Sequence, residues 1–292
     1  MAGAAIAGSV RDALGGAVDA LTAAGVESPR LDAELLLGEA MGCGRAALVA
    51  DPDAGVPADA GRRFGEIVRR RLRREPVAYI LGRKGFRNIE LAVDRRVLVP
   101  RPETELLVEL ALELRPGTVL DVGTGSGAIA LAVADELPEC EVVATDTSTD
   151  ALEVARANAE RLGFSERVRF VEGSVPGGES FDLTLANLPY IAEPDWSTLQ
   201  PEVTQWEPRE ALLAGPDGLD AIRAFLTQLS RRVRDLSRIA RLSSNSPAEV
   251  VALEVGEGQA DAVASLLGEA GFGPVQTRPD LAGIPRIVWG RR

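Results

Sequence analysis

Histidine is missing altogether from the 292 residues. Its absence removes Ser-His and Cys-His nucleophile pairs and every imidazole-ligated metal from consideration. Cysteine is nearly missing. Cys43 and Cys140 stand far apart and outside any C-x-x-C spacing, so neither a disulfide framework nor a zinc site is expected, and no metal is assigned. No stretch approaches the roughly 18 consecutive apolar residues of a membrane span, and the first residues lack a basic segment followed by a long apolar core. The expectation is a cytoplasmic protein with no membrane contact. Positive charge is in deficit, with 32 Lys and Arg against 44 Asp and Glu and a net charge of -12. Such a surface repels a polyanion at long range. Direct nucleic-acid binding is therefore not expected, and a protein or small-molecule partner fits better.

What is present is enough apolar material, 46% of the chain, for a sizeable core, and the length suits two domains. Up to about residue 76 apolar residues recur at helical spacing: Val10, Leu14, Val18 and Leu21, then Leu31, Leu35 and Leu36, then Phe64, Ile67, Val68 and Leu72. This predicts a small domain of four or five helices over 1–76. Between 77 and 99 the composition shifts to Tyr79, Ile80, Phe86, Ile89, Leu91, Val93 and Val97 with Gly82, Gly85 and Asn88 as turn formers, which predicts a β-hairpin linker. From 100 to 292, strands at 118–122, 141–145, 168–172, 181–186, 250–255 and 286–290 alternate with helices at 127–136, 148–162, 217–234 and 259–270, the rhythm of a parallel sheet. Two Arg-rich stretches, 62–74 and 231–241, read as solvated helix faces, with an acidic docking partner as the alternative.

Chemistry concentrates in two places. Leaving the first of these strands, Asp121-Val-Gly-Thr-Gly-Ser-Gly127 lets the backbone approach a ligand closely, because three glycines in five residues weaken both neighbours unless something must sit there. Gly123, Thr124, Gly125, Ser126 and Gly127 thus form a candidate cofactor loop. The same loop satisfies the looser dinucleotide pattern with Ala128, so it does not separate S-adenosylmethionine from NAD. Asp146 ends the next strand, where a carboxylate can accept hydrogen bonds from both hydroxyls of an adenosine ribose; the alternative is a plain helix cap.

The second place is Asn187-Leu188-Pro189-Tyr190, at the end of the 181–186 run. A nitrogen whose lone pair is delocalised into a carbonyl or a ring is a poor nucleophile, so geometry must help it. The Asn187 side-chain oxygen and the Leu188 carbonyl can accept the two N–H bonds of a planar NH₂ group and aim its nitrogen at an electrophilic methyl. Tyr190 can stack on the planar group. Pro189 holds Leu188 extended. Because the second acceptor belongs to the backbone, leucine is tolerable at position 188.

These residues resemble the release-factor glutamine methyltransferases. The blocks that carry the resemblance are Pro29-Arg-Leu-Asp-Ala-Glu-Leu-Leu-Leu37, Arg74-Glu-Pro-Val-Ala-Tyr-Ile-Leu-Gly82, Val99-Pro-Arg-Pro-Glu-Thr-Glu105, 120–130, Asn187-Leu-Pro-Tyr-Ile191 and Glu207-Pro-Arg209. The resemblance implies an α/β fold: a Rossmann-like seven-stranded methyltransferase sheet with a small N-terminal helical substrate-recognition domain. It implies S-adenosylmethionine as cofactor and, as substrate, the glutamine amide in the Gly-Gly-Gln loop of peptide-chain release factors. It assigns Gly123 to Gly127 and Asp146 to the cofactor, Asn187 to Tyr190 to the substrate amide, and Val175 to the neighbourhood of the adenine. Leu188 and Ser174 stand where relatives usually have proline and aspartate. A nucleic-acid base methyltransferase, a non-catalytic cofactor-binding relative and, more remotely, an NAD enzyme are the competing readings.

Overall fold

The computed structural model describes residues 6–239 and 249–292. By its internal contacts the chain divides into two units, Met1–Gly82 together with Gln200–Trp206, and Arg83–Leu199 together with Glu207–Arg292. The first unit runs β1 (Ile6–Ser9), α1 (Val10–Ala23), α2 (Pro29–Met41), α3 (Arg45–Ala50), β2 (Gly55–Pro57), α4 (Ala58–Leu72) and α5 (Val77–Leu81). The later helix α9 (Pro201–Trp206) completes it. Ser9 starts α1 with a reciprocal cap: its hydroxyl accepts from Asp12 N at 3.1 Å, and the Asp12 carboxylate accepts from Ser9 N. Val10, Leu14, Leu21, Leu36, Phe64 and Val68 meet in one core, as their spacing predicts.

The expected linker over 77–99 needs correction at its start. Val77–Leu81 is a helical turn belonging to the first unit, and the hairpin is only β3 (Arg83–Phe86) with β4 (Ile89–Ala92). Pro76 opens the turn, its carbonyl accepting from Tyr79 N and Ile80 N, and Gly82 closes it at φ 70°. Tyr79 and Ile80 have strand-like composition, but their burial decides the conformation.

In the second unit follow α6 (Glu105–Leu114), β5 (Thr118–Val122), α7 (Ala128–Glu136), β6 (Glu141–Asp146), α8 (Thr149–Leu162), β7 (Val168–Glu172) and β8 (Leu183–Ala186). The remainder is α10 (Asp220–Ile239), β9 (Val250–Glu254), α11 (Ala260–Glu269), β10 (Gln276–Pro279) and β11 (Pro285–Arg291). The seven strands stand in the order β10-β11-β9-β8-β5-β6-β7. β9, β8, β5, β6 and β7 are mutually parallel, and β11 runs antiparallel to both of its neighbours. β8 and β9 are buried at every position, the pattern of parallel strands covered on both faces. β10 was not legible in the sequence. It is mostly exposed, pairs on one side only and ends in Pro279, which an edge strand tolerates. From β5 the chain builds outward through β6 and β7, then returns to place β8 on the other flank of β5. That reversal opens a crevice at the carboxyl ends of β5 and β8.

The Arg-rich run 62–74 is not simply a wet helix face. Arg71, with a side chain only 7% exposed, donates to Asp32 at 2.6 Å and to Glu202 at 2.5 Å. Arg74 donates to the other oxygen of Glu202, and Arg70 pairs with Glu75 at 2.6 Å. These arginines hold α2, α4 and α9 together inside the first unit. Of the second stretch, the residues up to 239 continue α10, and 240–241 lie outside the described residues. Replacing Arg71 by alanine leaves the Asp32 carboxylate without its partner in a poorly hydrated place, while Glu202 keeps Arg74, so it is expected to destabilise the helical unit by about 3 kcal/mol. Denaturant unfolding followed by circular dichroism measures this. A shift equal to that of an exposed Arg11→Ala control would remove the structural role of this cluster.

Candidate functional site

The register of β5 on β8 decides what meets at the crevice. Val122 lies opposite Ala186, so the residues that leave the two strands, Gly123 and Asn187, are brought side by side. Gly123 takes φ 76°, and a Cβ there would stand 3.3 Å from Leu188 Cδ2 and 3.7 Å from the Asn187 carbonyl. The glycine is therefore needed both for its conformation and for the close approach of the two chain segments. Gly123 N and Thr124 N both donate to Thr145 O at the end of β6, which folds the loop back over the sheet. At Gly125 (φ 56°) a Cβ would meet nothing within 4 Å, since the residue faces a cavity.

That cavity has a volume of about 440 Å³ and is walled by residues 122–126, Asp146, Gly173, Ser174, Asn187, Leu188 and Pro189, with the stretch from Arg96 to Arg101 and the segment after Pro208 on its other sides. A larger hollow of about 1020 Å³ lies at the opposite ends of the strands, between Thr118, Glu141, Val168 and Phe181. Ligands of open α/β sheets bind in the crevice beyond the carboxyl ends of the strands, so the smaller cavity is the candidate site.

Asp146 uses one oxygen to accept from Gly125 N and the other from Ser148 N, each at 2.9 Å. The cap of α8 is Ser148, whose hydroxyl accepts from Ala151 N, so Asp146 is not the helix cap, and each of its oxygens keeps a lone pair. Behind the loop, Asp121 is fully buried; one oxygen accepts from the Thr124 hydroxyl at 2.6 Å and from Ala130 N, while Oδ1 has no partner among the described residues. Burial pushes its pKa up to about 7, only partly offset by those two donors. Asn158 of α8 is equally hidden. Its amide donates to Ala92 O at 3.0 Å and Ser126 O at 2.9 Å, and accepts from Ala92 N at 2.7 Å, tying the glycine loop to the hairpin.

On the other side, Asn187 Nδ2 donates to the Thr104 hydroxyl at 3.0 Å, which fixes the carboxamide with its oxygen at the opposite end. Thr104 and Arg101 come from the Pro-Arg-Pro-Glu-Thr-Glu block. Arg101 in turn is held by Glu207, which also accepts from Val99 N. Two blocks far apart in sequence are thus parts of one wall.

The structure brings Gly123, Thr124, Gly125, Ser126, Asp146, Asn187, Leu188 and Pro189 to the cavity. Three expected residues are not on its lining. Gly127 sits beneath the loop, where a Cβ would stand 2.9 Å from Leu131. Val175 packs against the core cluster, and its neighbours Gly173 and Ser174 stand on the cavity wall. Tyr190 points its hydroxyl at Glu254 Oε1, 3.4 Å away, rather than its ring into the cavity. Sequence reasoning missed Thr104, Asp121, Asn158, Glu207 and Glu254 as site residues. Thr104 and Glu207 were visible only as members of blocks, and a lone buried asparagine in a helix carries no signal of its own.

Two family models match the chain: the PrmC N-terminal domain over residues 12–82 and a methyltransferase domain over residues 119–206. Among similar proteins, the release factor glutamine methyltransferase of Caulobacter vibrioides is 40% identical, with 94% of this chain and 93% of that one covered. That of Koribacter versatilis is 37% identical over 97% and 99%. Among solved structures, the hMettl16 catalytic domain in complex with a MAT2A 3'UTR hairpin has a TM-score of 0.50 at 15% identity, covering 68% of this chain and 75% of that chain, a likeness of fold alone.

Removing the buried amide of Asn158 leaves three backbone groups without partners, each costing about 1–3 kcal/mol. Asn158→Leu is therefore expected to lower stability by at least about 2 kcal/mol and to loosen the glycine loop. Hydrogen exchange at Ser126 to Ala128 reads the second effect; unchanged protection there would show that the asparagine only fills space.

Proposed function

Because the chain belongs to the release factor glutamine methyltransferase family, we propose that it methylates the side-chain amide nitrogen of the glutamine in the Gly-Gly-Gln motif of peptide-chain release factors, with the crevice between β5 and β8 as the reaction site. The cofactor is S-adenosylmethionine. The residues present fit it: a glycine loop whose backbone lines the cavity, a position at Gly125 where a Cβ would protrude into the cavity, and a carboxylate at Asp146 with lone pairs to spare. When bound, it supplies a methyl group made electrophilic by a positively charged sulfur.

The observation that carries the reading is the juxtaposition of Gly123 and Asn187 across paired strands in one cavity. With Nδ2 engaged by Thr104, Asn187 Oδ1 is the end left to accept one N–H of an incoming carboxamide, and the Leu188 carbonyl is the second acceptor. Two acceptors on one NH₂ group fix the plane of the amide and favour the positive charge that develops on its nitrogen during transfer. Once alkylated, that nitrogen is acidic enough to lose a proton without a strong base, which suits a chain with no histidine. Leu188 covers Gly123 with its side chain and uses only its backbone toward the substrate, so leucine serves where relatives have proline. Tyr190 contributes as an anchor of the acceptor segment.

The helical unit Met1–Gly82 is the natural reader of the protein substrate, matching as it does the N-terminal domain model of the family. Among the described residues no helix is long and apolar enough to cross a membrane. A substrate that works in translation termination supports a cytoplasmic location.

The direct test is to incubate the protein and cofactor with a release factor and, in parallel, with ribosomal RNA. A mass increase of one methyl, mapped to the glutamine of the Gly-Gly-Gln motif, is expected only in the first. Methyl incorporation into RNA alone would transfer the site to a nucleic-acid base. Asn187→Ala is expected to lower turnover by at least about 100-fold with little change in cofactor affinity, since one acceptor of the reacting amide is gone; near-normal turnover would remove the residue from the mechanism.

A further inference from the structure

Glu254 closes β9 in the row of parallel strands and is 2% exposed. No arginine or lysine forms an ion pair with it among the described residues. A carboxyl group in such a place costs free energy that an apolar residue would not, so its presence asks for a role. Its surroundings supply one. The Thr104 hydroxyl and the Tyr190 hydroxyl face it and favour its charged form, and Arg286 adds a more distant positive charge while itself pairing with Asp280 at 2.9 Å. Glu103 opposes with a like charge. Oε1 receives the Tyr190 hydroxyl at 3.4 Å, and Oε2 has no hydrogen-bond partner among the described residues.

Thr104 links this carboxyl group to the site. A hydroxyl has one proton and two lone pairs. The Thr104 oxygen accepts from Asn187 Nδ2, and its own proton requires an acceptor; Thr104 is 4% exposed, so water is a poor candidate, and the carboxyl of Glu254 faces it. A carboxylate only accepts. A carboxylate that takes up the Thr104 proton would leave the lone pairs of Thr104 for Asn187, and so set the carboxamide of Asn187 with its NH₂ inward and its oxygen to the cavity. The turn that follows adds a third hold: Gln259 donates from Nε2 to Tyr190 O at 2.9 Å and accepts from Gly256 N at 3.0 Å.

We propose that Glu254 is a positioning residue for methyl transfer, setting through the Thr104 hydroxyl which end of the Asn187 carboxamide meets the substrate, and holding Tyr190 at the far end of the same segment. The inference rests on the reading of Asn187 Oδ1 as an acceptor for the substrate amide. A glutamine at position 254 has the same shape but offers an NH₂ as readily as an oxygen, so Thr104 no longer imposes one orientation on Asn187.

Burial and the charge of Glu103 push the pKa of Glu254 up to about 7. The sign follows directly: above that value the group is ionised and accepts from Thr104; below it the added proton competes for the Thr104 oxygen and frees the amide of Asn187 to turn. Two measurements test this. In the protein without cofactor, the side-chain NH₂ resonances of Asn187, assigned by their loss in Asn187→Ala, are expected to shift with a midpoint near 7 and to stop doing so in Glu254→Gln. With release factor, the wild-type turnover is expected to fall as pH drops through the same range, while Glu254→Gln loses about 10-fold to 100-fold in kcat with little change in the KM for cofactor and shows a flat profile. Thr104→Ser, which keeps the hydroxyl, is expected to retain turnover that Thr104→Val loses. If Asn187→Ala abolishes glutamine methylation while Glu254→Gln turns over like wild type and the Asn187 resonances do not titrate, the positioning role is wrong and the proposed function stands. If wild type leaves the glutamine unmethylated, the function falls and the positioning role falls with it.

Discussion

The parallel pairing of β5 with β8 is the constraint on which everything else in the catalytic unit depends. It places Val122 beside Ala186, and from that register follows the meeting of the glycine loop with the segment that begins at Asn187. A one-residue slip would turn every side chain of β8 to the other face and carry Asn187 away from the loop. The register is secured from both sides, because β8 is itself buried between β5 and β9 and each of its four residues is inaccessible. A site built where two central strands end inherits their rigidity, which a transfer needing fixed alignment of nitrogen and methyl requires.

That rigidity is supported by buried polar groups, several of which hold the loops around the cavity. Asp121, Asn158, Glu207 and Glu254 are each less than a tenth exposed, and each holds a loop or another side chain rather than the bulk of the core. Asp121 and Asn158 organise the glycine loop. Glu207 fixes Arg101, and Glu254 faces Thr104 and Tyr190. The glycine-loop side and the Asn187 side of the crevice are thus supported by separate groups that share no hydrogen bond among the described residues. Changes on one side are therefore expected to act largely independently of changes on the other.

The sequence showed most of the sheet and the two segments that line the crevice, for a physical reason. Parallel strands buried on both faces read as apolar runs, and glycine triplets or an Asn-x-Pro after such a run are hard to reconcile with packing alone. The misses have equally definite causes. β10 is an edge strand with polar composition, so nothing in its four residues marks it. Tyr79 and Ile80 look like strand residues yet form a helical turn, because Pro76 and Gly82 bracket them and the helical core takes the side chain of Ile80. Val175 has the chemistry for an adenine contact but is drawn into the core. Asn158 and Glu254 could not be found from their neighbours in sequence, since their partners Ala92, Ser126, Thr104 and Tyr190 are distant along the chain.

The arginines of the helical unit show the same limit from another direction. A run of basic residues against few acids suggests a docking face, and sequence spacing alone favours a wet helix side. Neither describes Arg71, which reaches Asp32 and Glu202 at once, nor Arg74, which shares Glu202 with it. The acceptor Glu202 comes from a seven-residue excursion, Gln200–Trp206, that the rest of the chain makes into the first unit. A guanidinium can serve two carboxylates because its five donors lie in one rigid plane, whereas an ammonium concentrates its charge at a point. Arginine rather than lysine at position 71 therefore follows from the geometry: one planar group has to face a carboxylate from α2 and another from α9, and only a fork does both.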